Sequence, residues 1–118
     1  MIEIRDLSYV RLGTENLELA VSFATEKLGL QLVRQEDGRA YVRGDERDHD
    51  ICYLGDSDAG HVLGFEVEDE DALEGAYNAL DSAGITVSRG TPEGCADRRV
   101  VDYISFEDPT GNRFDLTV

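Results

Sequence analysis

Tyrosine, arginine and carboxylate side chains recur at alternating positions of several short apolar segments. Tyr9 and Arg11 alternate with Val10 and Leu12, so the two polar residues face one side of a predicted strand. A guanidinium can pair with a ligand carboxylate, and a tyrosine ring can stack on an aromatic molecule. Extended to the other strands, the alternation gives these candidate ligand-binding residues: Tyr9, Arg11, Tyr41, Arg43, Val62, Glu66, Tyr103 and Asp115.

An internal ion pair is the alternative explanation for the same set. Arg11 could pair with Glu66 or with Asp115, because buried ionic groups normally have partners. In either case the alternation predicts that Tyr9, Arg11 and Asp115 line one cavity, although they lie near opposite ends of the chain.

The histidines and cysteines point to no catalytic centre. His49 lies among charges in the segment RDHD and is predicted to be a solvated edge or turn residue, and His61 begins a strand at the surface. Cys52 and Cys95 are predicted to be free thiols. The chain contains no CxxC, no GxSxG and no glycine-rich phosphate loop, so no catalytic residue is assigned.

The charge of the chain limits its partners. The 118 residues include 26 acidic and 11 basic side chains, which give a formal net charge of -15. Such a surface repels nucleic acid and anionic lipid, so neither is expected as a partner. The acidity fits either ordinary solubility or adaptation to high salt. The N-terminus, MIEIRDLSYV, lacks an apolar signal core, which predicts a cytoplasmic protein.

The order of predicted elements repeats once along the chain. In the first half, residues 4–55, a helix capped by Asn16 and stopped by Gly29 follows the first strand; the strands are 7–12, 30–34, 40–43 and 50–54. In the second half, residues 61–118, Asp69 or Asp71 caps a helix stopped by Gly84; the strands are 61–67, 85–87, 101–106 and 114–118, with a long loop at 89–99 and a turn at 108–112.

This duplication predicts one domain spanning residues 1–118 with an α+β fold. Each half reads β-α-β-β-β and would expose one apolar face of its sheet if it stood alone. Two βαβββ repeats are therefore expected to form one cupped mixed sheet with the helices outside.

Three segments resemble a known superfamily. SYVRLGTENLELAVSFATEKLGL, GHVLGFEVEDEDAL and FEDPTGNRFDL are similar, in that order, to segments of vicinal-oxygen-chelate domains. That superfamily includes glyoxalase I, bleomycin- and fosfomycin-resistance proteins and extradiol dioxygenases. LSYVRL, YVRGDERDHDI and YISFEDPTGN most resemble the N-terminal domain of extradiol catechol dioxygenases, a domain that lacks the metal.

The resemblance also implies where a metal would bind. The superfamily's three ligand positions fall on Tyr9, Val62 and Asp115. Tyrosine is a rare ligand, valine cannot ligate, and aspartate is shorter than the usual glutamate. His49 and His61 with Asp115 make only a weak alternative set. The sequence therefore predicts no metal and no other cofactor.

These observations predict a protein that binds a small aromatic or amphipathic molecule in its cup without metal, as bleomycin-resistance-like proteins do. Two alternatives stay open. One is a metal-dependent enzyme of dioxygenase or glyoxalase type, an oxidoreductase or lyase, with a degenerate or shared site. The other is a non-catalytic partner of a dioxygenase. The resemblance and the open sheet edges together predict a homodimer.

Overall fold

A computed structural model describes residues 1–118. The strands are β1 (Asp6–Gly13), β2 (Gln31–Glu36), β3 (Arg39–Arg43), β4 (Ile51–Leu54), β5 (His61–Glu66), β6 (Ser88–Arg89), β7 (Tyr103–Glu107) and β8 (Arg113–Thr117). The helices are α1 (Leu17–Ser22), α2 (Glu70–Ser82) and α3 (Pro92–Arg98). A π-helical turn (Phe23–Lys27) continues α1, and a 3-10 turn (Ser57–Ala59) precedes β5. No helix has the length and apolar character needed to cross a membrane.

The chain divides into two compact units, residues 9–61 and residues 1–8 with 62–118. In the first unit the strand order is β2-β3-β4-β1, with β1 and β4 parallel and the other pairs antiparallel. Asn16 caps α1 through a hydrogen bond that its side chain accepts from the Leu19 amide. Gly29, with a φ of 73°, follows the helical segment and allows the chain to reverse into β2.

The second unit repeats this topology. Its strand order is β5-β8-β7-β6, with β5 and β8 parallel and the other pairs antiparallel. Asp69 caps α2 by accepting a hydrogen bond from the Ala72 amide, and Gly84, with a φ of 82°, follows the helix. The same strand order in both units confirms the predicted βαβββ repeats and the α+β class with mixed strand pairing.

One face of the second unit's sheet carries its hydrophobic core. Leu73 and Ala76 of α2 pack with Ile104 of β7 and Leu116 of β8, and Val67 completes the buried cluster. Because strand residues alternate between faces, the neighbours of Ile104 and Leu116 lie on the face away from α2. That opposite face carries Tyr103, Ser105, Asp115 and Thr117.

Two predictions for residues 85–99 are wrong. The strand expected at 85–87 is instead the two-residue β6, which begins at Ser88. The segment expected to be a long loop contains α3, whose first turn has Thr91 as N-cap and Pro92 at its start. Thr91 accepts a hydrogen bond from the Gly94 amide, and proline is suited to the first helical position because its missing N–H would be unpaired there anyway.

Candidate functional site

An aromatic cluster surrounds a buried histidine in the first unit. His49 is 4% exposed and stacks on Tyr9 with ring centroids 5.7 Å apart. Its ring also meets Tyr41 edge-on, with centroids 5.0 Å apart. On the other side the Arg34 guanidinium lies 3.8 Å from the centroid of the Tyr41 ring, and it holds both carboxylate oxygens of Asp48 at 3.0 and 3.1 Å.

The two nitrogens of His49 have different surroundings. Nδ1 lies 2.7 Å from Oδ2 of Asp48, and a carboxylate only accepts hydrogen bonds, so Nδ1 carries the proton. Nε2 is then an acceptor in the neutral ring, and this buried atom has no hydrogen-bond partner in the protein. A buried polar atom without a partner is rare in folded proteins and indicates a water or ligand group beside it.

The prediction of a solvated His49 is therefore wrong. Charged neighbours in RDHD suggested a surface turn, and Arg47, Asp48 and Asp50 do keep partly exposed side chains, but His49 between them is buried. The imidazole turns inward because two tyrosine rings offer it an aromatic surface. His61, by contrast, is exposed at the start of β5, as predicted.

The surroundings of His49 predict a pH dependence of stability. Burial lowers its pKa below the ordinary 6.5, an effect that the hydrogen bond donated to Asp48 opposes and that the charges of Arg34 and Arg11 reinforce. A lowered folded pKa means that the unfolded state binds the proton first. The stability contributed by neutral His49 is thus complete above about pH 6.5 and is lost as the pH falls through that value toward the lowered pKa.

We expect the melting temperature of the wild type to fall between pH 7.5 and pH 5.5, as measured by circular dichroism. The His49→Gln variant should show a flatter profile in this interval, because glutamine does not titrate. His61→Gln serves as the control, since His61 is exposed, and should keep the wild-type slope. If the melting temperatures of all three proteins fell equally with pH, His49 would not be the source of the pH dependence.

A second cluster, in the second unit, is centred on Asp115. Asp115 is 1% exposed, and its two oxygens accept hydrogen bonds from Arg98 Nε at 2.8 Å and Ser105 Oγ at 2.6 Å. The Arg98 guanidinium also lies over the Tyr103 ring, 4.1 Å from its centroid. An internal ion pair at Asp115 therefore exists, and it includes Arg98, a cation that the sequence analysis did not name.

The remaining predicted residues are Arg11, Arg43, Val62 and Glu66. Arg11 is buried on the same face of β1 as Tyr9. Arg43 donates to the Gln31 side chain at 3.0 Å and to the Arg47 carbonyl at 3.3 Å. Val62 is buried and Glu66 is half-buried. That Tyr9, Arg11 and Asp115 line one cavity stays a prediction.

The residues at the implied metal positions do not fit a metal. The Val62 side chain has no donor atom, and both oxygens of Asp115 are engaged by Arg98 and Ser105. No group of three or more His, Cys, Asp and Glu side chains is arranged to hold an ion.

An open groove in the second unit has a volume of about 520 Å³. It lies among residues 84–86, Ser88, residues 105–108 and Arg113. Its volume is within the range of small-molecule sites. None of the eight predicted ligand-binding residues lines it, so it is a separate feature that the alternation pattern did not indicate.

Sequence reasoning missed three residues that contact the predicted side chains: Arg34, Asp48 and Arg98. The signal for Arg98 was available: Thr91-Pro92 is a typical helix start, and a helix beginning there places Arg98 in its last turn. For His49 no such signal exists, because its burial depends on Tyr9 and Tyr41, which are distant in sequence.

Comparison with known proteins places these features in context. The family model described as Glyoxalase/Bleomycin resistance protein/Dioxygenase superfamily matches residues 6–116. The biphenyl-2,3-diol 1,2-dioxygenase of Sphingomonas paucimobilis is 32% identical over 118 residues, 98% of this chain and 40% of the relative. The iron-dependent extradiol dioxygenase of Rhodococcus jostii (strain RHA1) is 30% identical over 116 residues, 97% of this chain and 39% of the relative.

Solved structures give the same relationship. The crystal structure of BphC, a halotolerant catechol dioxygenase, matches with a TM-score of 0.89 and 31% identity, over 99% of this chain and 40% of that one. The Mn(II)-bound glyoxalase from Novosphingobium aromaticivorans shares the fold, with a TM-score of 0.81 at 16% identity. The chain spans about 40% of the dioxygenases it matches, and the similarity corresponds to their N-terminal domain.

Proposed function

The chain belongs to the Glyoxalase/Bleomycin resistance protein/Dioxygenase superfamily, and from that membership we propose that it binds a small aromatic or amphipathic molecule without a metal ion. Two of its curated relatives are named for aromatic diols, biphenyl-2,3-diol and 1,2-dihydroxynaphthalene. The chain spans only about 40% of their length, so their reaction is not carried over to it.

The observation that carries this proposal is the state of His49. Its Nε2 is buried, is an acceptor in the neutral ring and has no partner in the protein. The two tyrosine rings pack against the imidazole, so the surroundings of Nε2 are aromatic. An aromatic molecule that carries an O–H or N–H donor would satisfy Nε2 and suit these surroundings.

The metal-free part of the proposal rests on Asp115 and Val62. A divalent ion at Asp115 would have to displace the Arg98 guanidinium, and Val62 would supply no ligand. The ligand is therefore held by hydrogen bonds and apolar contact alone. We further propose that the protein acts in the cytoplasm as a homodimer; the edge strands β2 and β6 offer unpaired backbone groups within their units.

Two probes that differ only in their hydrogen-bond donor test the proposal. We expect p-cresol to bind about 3- to 10-fold more tightly than 4-methylanisole in a calorimetric titration, because only p-cresol can donate to Nε2. His49→Phe should abolish this difference in affinity between the two probes, although it keeps an aromatic ring at position 49. His61→Phe, at an exposed position, should leave it unchanged.

Native mass spectrometry of the freshly purified protein would report metal, retained ligand and oligomeric state together. We expect no stoichiometric transition metal, and we expect EDTA to leave probe affinity unchanged. Absence of binding by both probes, or loss of binding on chelation, would overturn the proposal. Amide shift changes confined to residues 105–108 would move the ligand site to the groove of the second unit instead.

A further inference from the structure

Arg98 contacts Asp115 and Tyr103 as a bound ligand would, and Ser105 positions the Asp115 carboxylate. Its Nε donates to a carboxylate that is 1% exposed, and its planar group lies over an aromatic ring at 4.1 Å. The Ser105 hydroxyl holds the other carboxylate oxygen at 2.6 Å and so fixes its orientation. A fixed carboxylate beside an aromatic face is the surrounding that a guanidinium prefers.

The helix that carries Arg98 is fitted closely to this surface. A Cβ built at Gly94 would lie 2.8 Å from Cζ of Tyr103, and one at Gly90 would lie 2.6 Å from Cδ1 of the same ring. Both positions therefore have to be glycine for the segment 90–94 to lie this close to the Tyr103 ring. Arg98 Nη1 also donates to the Gly94 carbonyl at 3.3 Å, which orients the guanidinium from within α3.

We propose that Asp115, Ser105 and Tyr103 form a guanidinium-binding site that the chain fills with its own Arg98. The guanidinium supplies the positive charge at the position where the superfamily resemblance implies a metal. Helix α3 thus supplies the ligand of this site from within the chain and covers the sheet face that carries Tyr103, Ser105 and Asp115. The proposal concerns a different cluster from the His49 site, so either one can fail without the other.

Chemical rescue tests this directly. Arg98→Ala removes the guanidinium and leaves the carboxylate, hydroxyl and ring in place. We expect its melting temperature to fall below that of the wild type and to rise again by about 4 °C or more with methylguanidinium at millimolar concentration. Sodium chloride and tetramethylammonium chloride at equal ionic strength should give a smaller rise, because neither cation donates a planar pair of N–H groups.

Arg89→Ala is the matched control. Arg89 pairs with Glu74 through two hydrogen bonds of 2.8 and 2.9 Å and lies over Tyr77, but both members of the ion pair are 53% exposed. Its loss leaves no buried site, so methylguanidinium should act on this variant no better than sodium does. Hydrogen exchange supplies a local readout: the amides of α3 should lose protection in Arg98→Ala and regain it with methylguanidinium.

Three outcomes would overturn the proposal. The first is equal rescue by sodium, tetramethylammonium and methylguanidinium. The second is stronger rescue by Mn²⁺ or Zn²⁺, which would show that Asp115 accepts a metal once Arg98 is gone. The third is rescue without renewed protection of α3. If Arg98→Ala does not fold, Arg98→Lys takes its place, and there the expected rescue is smaller because the ammonium occupies part of the site.

Discussion

Replacement of Asp115 by asparagine is expected to lower the free energy of unfolding by about 3 kcal/mol, the lower end of the cost of removing one partner of a buried ion pair, because Asp97 stays 3.9 Å from Arg98 Nη1. The side chains of Arg98 and Asp115 are 13% and 2% exposed, so water cannot replace the lost carboxylate. Asparagine keeps the size of aspartate and can still accept from Ser105, so the change isolates the charge. Urea denaturation followed by circular dichroism measures the loss.

Glu74→Gln is the matched control for Asp115→Asn. Glu74 accepts two hydrogen bonds from Arg89, and this contact lowers the pKa of its carboxyl, but the pair is exposed to solvent. Exposed ion pairs are screened and contribute little, so only a small change in stability is expected. If both variants lost similar amounts, burial of the Arg98–Asp115 pair would not be the source of its stability.

Gly94→Ala should destabilise the protein by about 3 kcal/mol, at the upper end of the cost of overfilling a packed site. The added methyl group would overlap the Tyr103 hydroxyl and lie 2.8 Å from its Cζ. The ring has little room to move, because it is 8% exposed and Gly90 abuts its edge. Thermal and urea unfolding of the purified variant measure the effect.

Gly75→Ala, by contrast, should stabilise the protein. Gly75 is also helical, in α2, but a Cβ at this position meets no atom within 4 Å. Alanine is the better helix former, so a gain of about 0.5–1 kcal/mol is expected. Loss of stability in both variants would mean that the cost at Gly94 arises from the backbone and not from contact with Tyr103.

The regular elements of the fold were largely predictable from sequence. Asn16 and Asp69 are residues that cap helices, and the structure uses both in that role. Alternation likewise placed Asp115 opposite Phe114 and Leu116, whose face meets α2. These signals are local. They predict the structure correctly because each helix and strand buries the face that its own hydrophobic pattern indicates. The prediction of a long loop at 89–99 was wrong because it gave the glycine and charged residues of this segment more weight than Thr91-Pro92, a typical helix start.

The site was less predictable, since it depends on contacts between distant segments. Arg98 reaches Asp115 only because α3 forms and lies against Tyr103, and no periodicity in the sequence encodes that approach. His49 is buried for a similar reason, since Tyr9 and Tyr41 come from two different strands. The types of residue were foreseen, an arginine on a carboxylate and tyrosines beside them, but Arg98 was not named among them.

Residues 1–8 contact residues 62–118 within one unit. The Arg5 amide donates to the Glu66 carbonyl at 2.8 Å, and Ser8 Oγ lies 2.9 Å from Thr117 Oγ1. Residues 1–8 are therefore synthesised before residues 62–118, with which they form this unit. A circular permutant that is opened in the segment 55–60 and links residue 118 to residue 1 would make the unit of residues 1–8 and 62–118 continuous in sequence. In such a chain, order of synthesis and order of assembly would coincide.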